Sequence, residues 1–264
     1  MKTMKFFIVL FGVVTLLSCH NDKTMSSPQT VSFLLTDAPA LQGFQLNFTK
    51  VNVQINEIDY VTADSSITKV TSFVPGVYDL KSLMNGDSTL LSQIILPNNV
   101  AIKQVRLVLG SDNSVTLLDG TTHALTIPSG QQSGIKINVD SSVPSSGDYS
   151  IMIDFNIGKS IFVNGNGVYL LKPVLRAFVV EATSSIKGNV SPSNLPTKVF
   201  VINGTDTIST VSDTTKNNYF QLSGFTAGSY TVQFMPMGTT SVTKTTTAAV
   251  SFGSDTSLGT VVVQ

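Results

Sequence analysis

Residues 51–60 read VNVQINEIDY, and this stretch decides the fold class. Apolar and polar residues alternate from Val51 to Ile55, and Ile58 and Tyr60 follow, which is typical of a half-buried β-strand. Similar short apolar or alternating runs recur along the chain, separated by Gly, Pro, Asn, Asp and Ser. They lie at 31–35, 67–73, 102–109, 114–118, 134–139, 149–155, 160–163, 168–171 and 174–181. Their regular spacing predicts an all-β protein built as a sandwich or barrel.

The composition agrees with an exported sheet protein. Hydrophobic residues make up 42% of the chain and charged residues only 12%, while Thr, Ser, Val and Asn are abundant, as suits pleated strands and turns. The formal charge is zero, from 16 basic and 16 acidic residues. No basic patch stands out, so we expect no nucleic-acid partner, because phosphate binding needs clustered Lys and Arg.

The N-terminal residues 1–18 predict a signal peptide. They read MKTMKFFIVLFGVVTLLS, a short basic start followed by an apolar run that is too short to span a bilayer comfortably. The segment that follows, Leu16-Leu17-Ser18-Cys19, resembles the bacterial lipobox, in which the cysteine becomes diacylated and N-terminal. Cys19 is the only cysteine of the chain, so it cannot form an internal disulfide. We predict lipidation at Cys19; the alternatives are an ordinary secretory signal or a buried thiol.

Residues 19–30 are expected to form a lipidated tether. Residues 20–30 read HNDKTMSSPQT and are polar and unpatterned, which is typical of a flexible linker. A diacyl anchor supplies the two buried chains that stable membrane attachment needs. The expected partner is therefore a membrane, with the protein held at the outer membrane; the periplasmic and the surface-exposed face both remain open.

Two segments predict local structure other than plain strands. Asn164-Gly165-Asn166-Gly167 separates two apolar runs, and Asn-Gly favours type I′ hairpin turns because both central residues take a positive φ. The stretch from Asp79 to Ile95 instead spaces its apolar residues as helical turns do. One or two short helical turns are expected there.

A domain boundary is expected at Glu181 to Ser185, where a long apolar run ends in EATSS. A β-rich domain is predicted at 31–182 and a small sandwich at 185–264, so the chain has two β-sandwich-like domains after its signal peptide and tether. The predicted strands of the second domain lie at 186–190, 198–202, 219–222, 229–234, 248–252 and 258–263.

An ordered series of short motifs gives the first domain a family resemblance. Over roughly residues 30–180 the chain resembles the bacterial lipoprotein domains grouped as domain of unknown function 4382. The resemblance implies an exported β-rich domain and no known activity. The motifs are FLLTDAP at 33–39, YDLKSLMNG at 78–86, QVRLVL at 104–109, IPSGQQSGIK at 127–136, IDF at 153–155 and LKPVLRA at 171–177.

The second domain resembles the carboxypeptidase regulatory-like, or transthyretin-like, sandwich. The segments that carry this are IKGNV at 186–190 and YFQLSGFTAGSY at 219–230, with Gly259 near the last strand. Asn218 stands where the family usually has Gly, a tolerable difference because Asn also accepts a positive φ. The resemblance implies a spacer or binding module, and related folds include starch-binding domains.

The sequence offers little for nucleophilic or metal catalysis. The only histidines are His20 and His123; His20 falls in the tether, and His123 is expected to be an exposed strand residue rather than a general base. No Gly-x-Ser-x-Gly motif is present. Because no Cys or His cluster exists, we expect no zinc site, and we expect no cofactor.

Paired carboxylates could hydrolyse glycosides, and the candidates are Asp37, Glu57, Asp59, Asp79 and Asp154. Asp37 is more simply a turn residue that caps the backbone ahead of Pro39, and Asp79 is more simply a helix N-cap.

Asp154 interrupts an apolar strand, so its carboxylate must be paired if it is buried. A structural ion pair is favoured over a catalytic or calcium role, and calcium would need six or more oxygens that no Asp-x-Asp-x-Asp loop provides. The possible partners are Arg106, Lys136, Lys172 and Arg176.

The loop 128–134, PSGQQSG, is polar and Gly-rich but lacks the Lys of a phosphate loop. It is a plain connection or a loop that contacts a partner or glycan. The chain has no Trp, the residue on which sugars commonly stack, and Tyr219 and Tyr230 suit a sandwich core as well as a sugar platform.

Together these patterns predict a non-enzymatic, lipid-anchored cell-envelope protein that binds a partner or displays its domains. The alternatives are a carbohydrate-binding surface lipoprotein and, less favoured, a carboxylate-based glycan hydrolase. An exposed tyrosine pair along a groove would favour the former, and two unpaired acids facing each other in a cleft would favour the latter.

Overall fold

The computed structural model describes residues 27–37, 48–98, 100–128, 134–139, 147–204 and 206–263. These residues are almost entirely β-strand, which confirms the all-β prediction. Their buried apolar side chains form two separate clusters, one within residues 31–182 and one within residues 186–263. We call the parts of the chain around these clusters the N-terminal unit (27–183) and the C-terminal unit (184–263). Among the described residues, no helix is long and apolar enough to cross a membrane.

The N-terminal unit is built from short strands and two helical segments. The helical segments are a 3₁₀ turn at Leu80–Leu83 and the four-residue helix α1 at Ile157–Ser160. The strands are β1 (Gln29–Thr36), β2 (Phe48–Val61), β3 (Ile67–Lys69), β4 (Gly76–Asp79), β5 (Thr89–Leu96), β6 (Gln104–Leu109), β7 (Ser114–Leu117), β8 (Thr122–Ala124), β9 (Ile135–Asn138), β10 (Tyr149–Phe155), β11 (Ile161–Val163), β12 (Tyr169–Leu171) and β13 (Leu175–Val179).

One sheet of this unit has the order β13-β10-β1-β5. Its centre is a parallel pair in which Val31 to Thr36 of β1 align with Tyr149 to Asp154 of β10. Every second side chain on both strands is fully buried, because alternate residues of a strand point to the same face. The pair therefore supplies one wall of the core, and both strands end together at the same edge.

The second sheet is organised by β2, whose fourteen residues pair with four other strands. Its first half lies between β4 and β7, and its second half lies between β3 and β6. The register shifts between Ile55 and Glu57, as in a β-bulge. This shift explains why Ile58, and not residue 57, is the next buried residue after Ile55.

The C-terminal unit is a seven-stranded sandwich. A sheet of order β17-β14-β20 faces a sheet of order β16-β15-β18-β19 across the second cluster. A 3₁₀ turn at Val180–Ala182 leads into it, and another lies at Thr214–Lys216. The strands are β14 (Ser184–Ser191), β15 (Thr197–Asn203), β16 (Asp206–Val211), β17 (Tyr219–Phe225), β18 (Gly228–Pro236), β19 (Lys244–Val250) and β20 (Thr256–Val262).

The prediction of helical turns across Asp79 to Ile95 is only half right. The 3₁₀ turn Leu80–Leu83 forms, but residues 89–96 form β5, which pairs antiparallel with β1. Eight residues with apolar spacings of three and four fit a helix and an irregular edge strand alike. These residues form a strand rather than a helix because their backbone groups pair with those of β1.

The hairpin between β11 and β12 forms as predicted, but its turn is not type I′. Within residues 164–167 only Gly167 has a positive φ, of 77°, whereas a type I′ turn needs two such residues. The Asn164 carbonyl accepts a bond from the Gly167 amide at 3.0 Å, and its side chain accepts one from Val168 at 2.9 Å. The type I′ geometry occurs instead at Asn85-Gly86, where φ is 58° and 86°.

This turn geometry predicts that alanine substitutions at two glycines of the turn differ in their effect on stability. A Cβ on Gly165 or on Gly167 would meet nothing within 4 Å, so only the backbone conformation separates them. We expect Gly167→Ala to destabilise the protein by about 1–2 kcal/mol, the cost of a left-handed non-glycine residue. Gly165→Ala, the matched control, should change stability by less than about 0.5 kcal/mol. Urea unfolding measures both; equal losses would contradict this turn.

Candidate functional site

The predicted ion pair at Asp154 is confirmed, with Arg176 as the partner. Asp154 lies opposite Arg176 in the antiparallel pairing of β10 with β13, and Arg176 Nε donates to Asp154 Oδ2 at 2.7 Å. The Asp154 side chain is 3% exposed, so the cation is needed to offset the cost of burying the carboxylate. The other proposed partners lie elsewhere: Arg106 pairs with Asp59, Lys172 lies 5.5 Å from the Phe162 ring, and Lys136 is exposed on β9.

The same guanidinium also contacts the C-terminal unit. Arg176 Nη2 donates to the Ser223 carbonyl on β17 at 2.9 Å, and the Arg176 guanidinium carbon lies 5.1 Å from the centre of the Phe178 ring. One side chain therefore neutralises a buried acid of one unit and satisfies a carbonyl of the other. This contact marks the junction between the two units.

Asn85 makes another side-chain contact across the junction. It is 8% exposed, donates to the Val211 carbonyl at 2.8 Å and accepts from the Thr210 hydroxyl at 2.6 Å. The type I′ turn brings it there, and a Cβ on Gly86 would come within 2.6 Å of Gln221. The turn at residues 85–86 thus needs Asn for the contact and favours Gly because φ of residue 86 is 86°.

Asp37 directly follows β1, and its side chain bonds the start of α1; the backbone ahead of Pro39 that it was predicted to cap lies outside the described residues. Its Oδ1 accepts from the backbone N–H of Ile157, the first residue of α1, at 3.1 Å. The carboxyl is 4% exposed. Burial raises the pKa of Asp37 well above its usual range, the charge of Asp154 adds to this, and the Ile157 hydrogen bond opposes it.

The remaining candidate carboxylates sit in structural contacts. Asp79 caps the 3₁₀ turn as predicted, since its Oδ1 accepts from the Lys81 amide at 3.1 Å. Asp59 is buried and bonds Arg106 at 3.2 Å; burial raises its pKa, and Arg106 opposes this. Glu57 pairs with Lys69 on the neighbouring strand, and this hydrogen bond lowers the pKa of Glu57.

His123 lies on strand β8, but it is half-buried rather than exposed. Its ring stacks on Tyr169 with centroids 4.6 Å apart and planes at 26°. This packing corrects the expectation of an exposed histidine. The predicted lipidation site Cys19, the tether residue His20 and residues 129–133 of the 128–134 loop lie outside the described residues.

The two tyrosines considered for sugar binding do not form a shared platform. Tyr219 and Tyr230 are half-buried on strands β17 and β18, which belong to different sheets. Tyr219 donates to Gln221 at 2.7 Å, and Tyr230 donates to the Thr226 carbonyl at 3.1 Å. Each hydroxyl is therefore oriented by a residue close to it in the sequence.

A cleft of about 470 Å³ lies between the two units, beside the junction contacts. Leu34 and Met152, partners in the β1–β10 register, line it on the N-terminal side. Gln221 and Asp255 line it on the C-terminal side. Its volume falls in the range of small-molecule sites, which favour domain interfaces. Within the described ranges, no three His, Cys, Asp or Glu side chains are grouped to hold a metal ion.

The sequence analysis did not identify Asn85, Gln221 or Ser223 as site residues. The one available signal for Asn85 was the Asn-Gly pair itself, which marks a tight turn. Nothing local could show that this turn packs against a strand more than one hundred residues later. The site is therefore a product of how the two units meet.

From these contacts we predict that Arg176 contributes far more to the free energy of unfolding than a cation in an exposed ion pair. Arg176→Ala leaves Asp154 buried without its counter-charge, so we expect a loss of about 3 kcal/mol. Lys187→Ala, the control, removes an ion pair whose side chains are 36% and 51% exposed and should cost at most about 1 kcal/mol. Equal urea midpoints for the two variants would contradict the assigned role of Arg176.

Solved structures similar to this chain share little sequence with it, and no curated protein matches it. The Bacillus anthracis TIE protein is 10% identical, with 90% of this chain and 41% of that chain covered and a TM-score of 0.24. BcpA, the major pilin subunit of Bacillus cereus, is 9% identical, with 88% and 70% covered and a TM-score of 0.23. The C-terminal fragment of the pilus adhesin SpaC from Lactobacillus rhamnosus GG is 11% identical, with 88% and 97% covered and a TM-score of 0.20. TM-scores of this size do not establish a common fold.

The family comparison is more specific. The model of the family described as Domain of unknown function (DUF4382) matches residues 29–173, which is more than half of the 264 residues. The matched range holds both buried carboxyls of the junction, Asp37 and Asp154, and the Asn85-Gly86 turn. The chain belongs to the DUF4382 family.

Proposed function

We propose that this protein is a lipid-anchored cell-envelope protein without catalytic activity, held at the outer membrane through Cys19. The observation that carries the proposal is the lipobox-like segment 16–19, with nine residues between Cys19 and the start of β1 at Gln29. The ten peptide steps from Cys19 to Gln29 reach at most about 35 Å when extended. The anchor would therefore hold the two folded units close to the membrane surface.

The second part of the proposal concerns what the anchor presents. The contacts of Arg176 and Asn85 join the two units. The linker between them is short, because only Thr183 separates the 3₁₀ turn at Val180–Ala182 from β14. We infer that the units are displayed as one body. The seven-stranded sandwich and the positive φ of Asn218, 55°, support our assignment of the C-terminal unit to the carboxypeptidase regulatory-like sandwiches.

Carbohydrate binding is the second candidate function, and the inter-unit cleft is the observation that favours it. The cleft combines apolar side chains, Leu34 and Met152, with polar ones such as Gln221 and Asp255. Sugars offer both C–H faces and hydroxyls, so such a lining suits them. The tyrosine pair does not support this function, because its members lie on different sheets.

A carboxylate-based hydrolase has the least support. Glycoside hydrolysis needs two carboxyl groups that flank a substrate bond. Asp154, Asp59 and Glu57 each pair with a cation, and Asp79 caps a turn. Asp37 and Asp154 do lie near each other, but both are buried, and the cavity that they share has a volume of about 20 Å³, which is too small for a sugar.

The anchoring proposal predicts the behaviour of two variants of the leader. We expect the full chain, expressed in a bacterial host fed an alkyne-tagged fatty acid, to take up the label and to sediment with membranes. Cys19→Ala should lose both properties because the acceptor thiol is gone. Ser18→Gly keeps a small residue before the cysteine and should keep both. Label on Cys19→Ala, or none on the unaltered chain, would refute lipidation at this position.

The glycan candidate predicts a cleft-dependent signal. On a glycan array, the unaltered protein should bind saturably, and Met152→Arg should weaken binding at least tenfold because a long cation enters the cleft. Val262→Arg adds the same charge at an exposed position beside Ser191, at the far end of β14 from the cleft, and should bind normally. Absence of binding, or equal loss in both variants, would remove this candidate.

A further inference from the structure

Two buried carboxyl oxygens at the junction have no hydrogen-bond partner among the described residues. They are Oδ2 of Asp37 and Oδ1 of Asp154, on side chains whose residues are 4% and 2% exposed. A buried acceptor without a donor costs free energy, so native proteins nearly always satisfy it with a protein group or an ordered water. The parallel pairing of β1 with β10 brings the two residues to the same edge of the sheet.

Both side chains line one small cavity between the units. The cavity has a volume of about 20 Å³, and Thr36, Arg176, Thr210 and Ser223 are among the residues around it. This volume holds a single water, which also needs two or more polar partners. The two residues that carry the partnerless oxygens both line this cavity.

The cation that lines the cavity, Arg176, is bonded to Asp154 and not to Asp37. Arg176 is bonded to Asp154 Oδ2, and Asp37 receives only the neutral N–H of Ile157. The remaining cation that acts on Asp37 is Lys81, with Asp79 beside it, and its ammonium forms no ion pair within the described ranges. Burial lowers the pKa of Lys81 and raises that of Asp37, because it disfavours the charged form of each group.

Each of the two aspartates is also hydrogen-bonded to a segment or side chain that contacts the other unit. The Asp37 amide donates to the Leu83 carbonyl at 3.0 Å, and the hydroxyl of neighbouring Thr36 holds the same turn through Leu83 and Asp87. That turn carries Asn85 to Thr210 and Val211. Asp154 holds Arg176, which reaches Ser223.

We propose that Asp37 and Asp154 form a proton-sharing pair bridged by one water, with Asp37 neutral and Asp154 ionised, and that loss of this proton loosens the junction. The Asp37 O–H donates to the water, and the water donates to Asp154 Oδ1. Release of the proton places a second negative charge in the cavity. A divalent cation is a poorer occupant, because it needs six or more oxygens and would lie beside the Arg176 guanidinium.

The direct test is a carboxyl ¹³C NMR titration of the unaltered purified protein. We expect the Asp37 carbon to keep the chemical shift of a protonated acid at pH values where exposed carboxyls have already ionised. Titration of Asp37 together with the exposed carboxyls would overturn the proposal. A high-resolution crystal structure should show one water within hydrogen-bond distance of both oxygens; a direct contact between the oxygens, or a metal ion, would overturn the water bridge.

Asp37→Asn provides the matched variant, since it keeps the shape and the Oδ1 acceptor but carries no titrating proton. Above about pH 4, the usual carboxyl pKa, the unfolded chain has lost a proton that the folded chain retains. The unfolding constant of the unaltered protein should therefore rise relative to that of the variant, by up to tenfold per pH unit, until the folded-state pKa is passed.

Asp119→Asn gives the opposite control. Its carboxylate lies at an exposed turn, where the Thr121 hydroxyl and amide lower its pKa. The advantage of the unaltered protein over this variant should grow only up to about pH 4 and stay constant above it. Hydrogen exchange of the Asn85 side-chain amide, which donates to the Val211 carbonyl of the other unit, reports the loosening when the unaltered protein and Asp37→Asn are compared at each pH. A ratio that does not change with pH would overturn the link between the proton and the junction.

Discussion

The guanidinium of Arg176 lies between a buried carboxylate of one β-structured unit and a backbone carbonyl of the other. Asp154 is buried because it falls in an apolar strand that crosses the centre of its sheet, and a charge in that position is tolerated only with a partner. Arg176, directly opposite on β13, is that partner. Its remaining donors then satisfy Ser223, so the cost of burying Asp154 is offset by a group that also fixes the second unit.

The parallel pairing of β1 with β10 is the geometric basis of this arrangement. Parallel strands end at the same edge of a sheet. At this edge Thr36 lies opposite Asp154, and Asp37 directly follows Thr36. The edge also faces the turn at Asn85-Gly86, whose left-handed backbone lets Asn85 reach β16. The core of the N-terminal unit and its attachment to the C-terminal unit thus depend on the same two strands.

The strand pattern could be predicted wherever alternation was regular. The run at 149–155 coincides with β10, and the runs around 31–35 and 51–60 fall within β1 and β2. β4, β5 and β16 were missed because four- to eight-residue segments with mixed spacing carry little periodic signal. The predicted type I′ turn at 164–167 was wrong for a related reason. Asn-Gly allows a type I′ turn, but the loop length and the hydrogen bond of the Asn164 side chain select another geometry.

From the amino-acid sequence alone, two features could be established: the all-β fold class and the need for a cation beside Asp154. Export and lipidation of the N terminus stay predictions. The two established features follow from local composition, from spacing and from the cost of burying a charge, which act on any fold. The tertiary structure was needed to show which cation pairs with Asp154, that Asp37 lines the same cavity, and that Asn85 bonds Thr210. Those contacts join residues separated by 22 to more than 100 positions, and their energies exist only once the strands have paired and the two units have met.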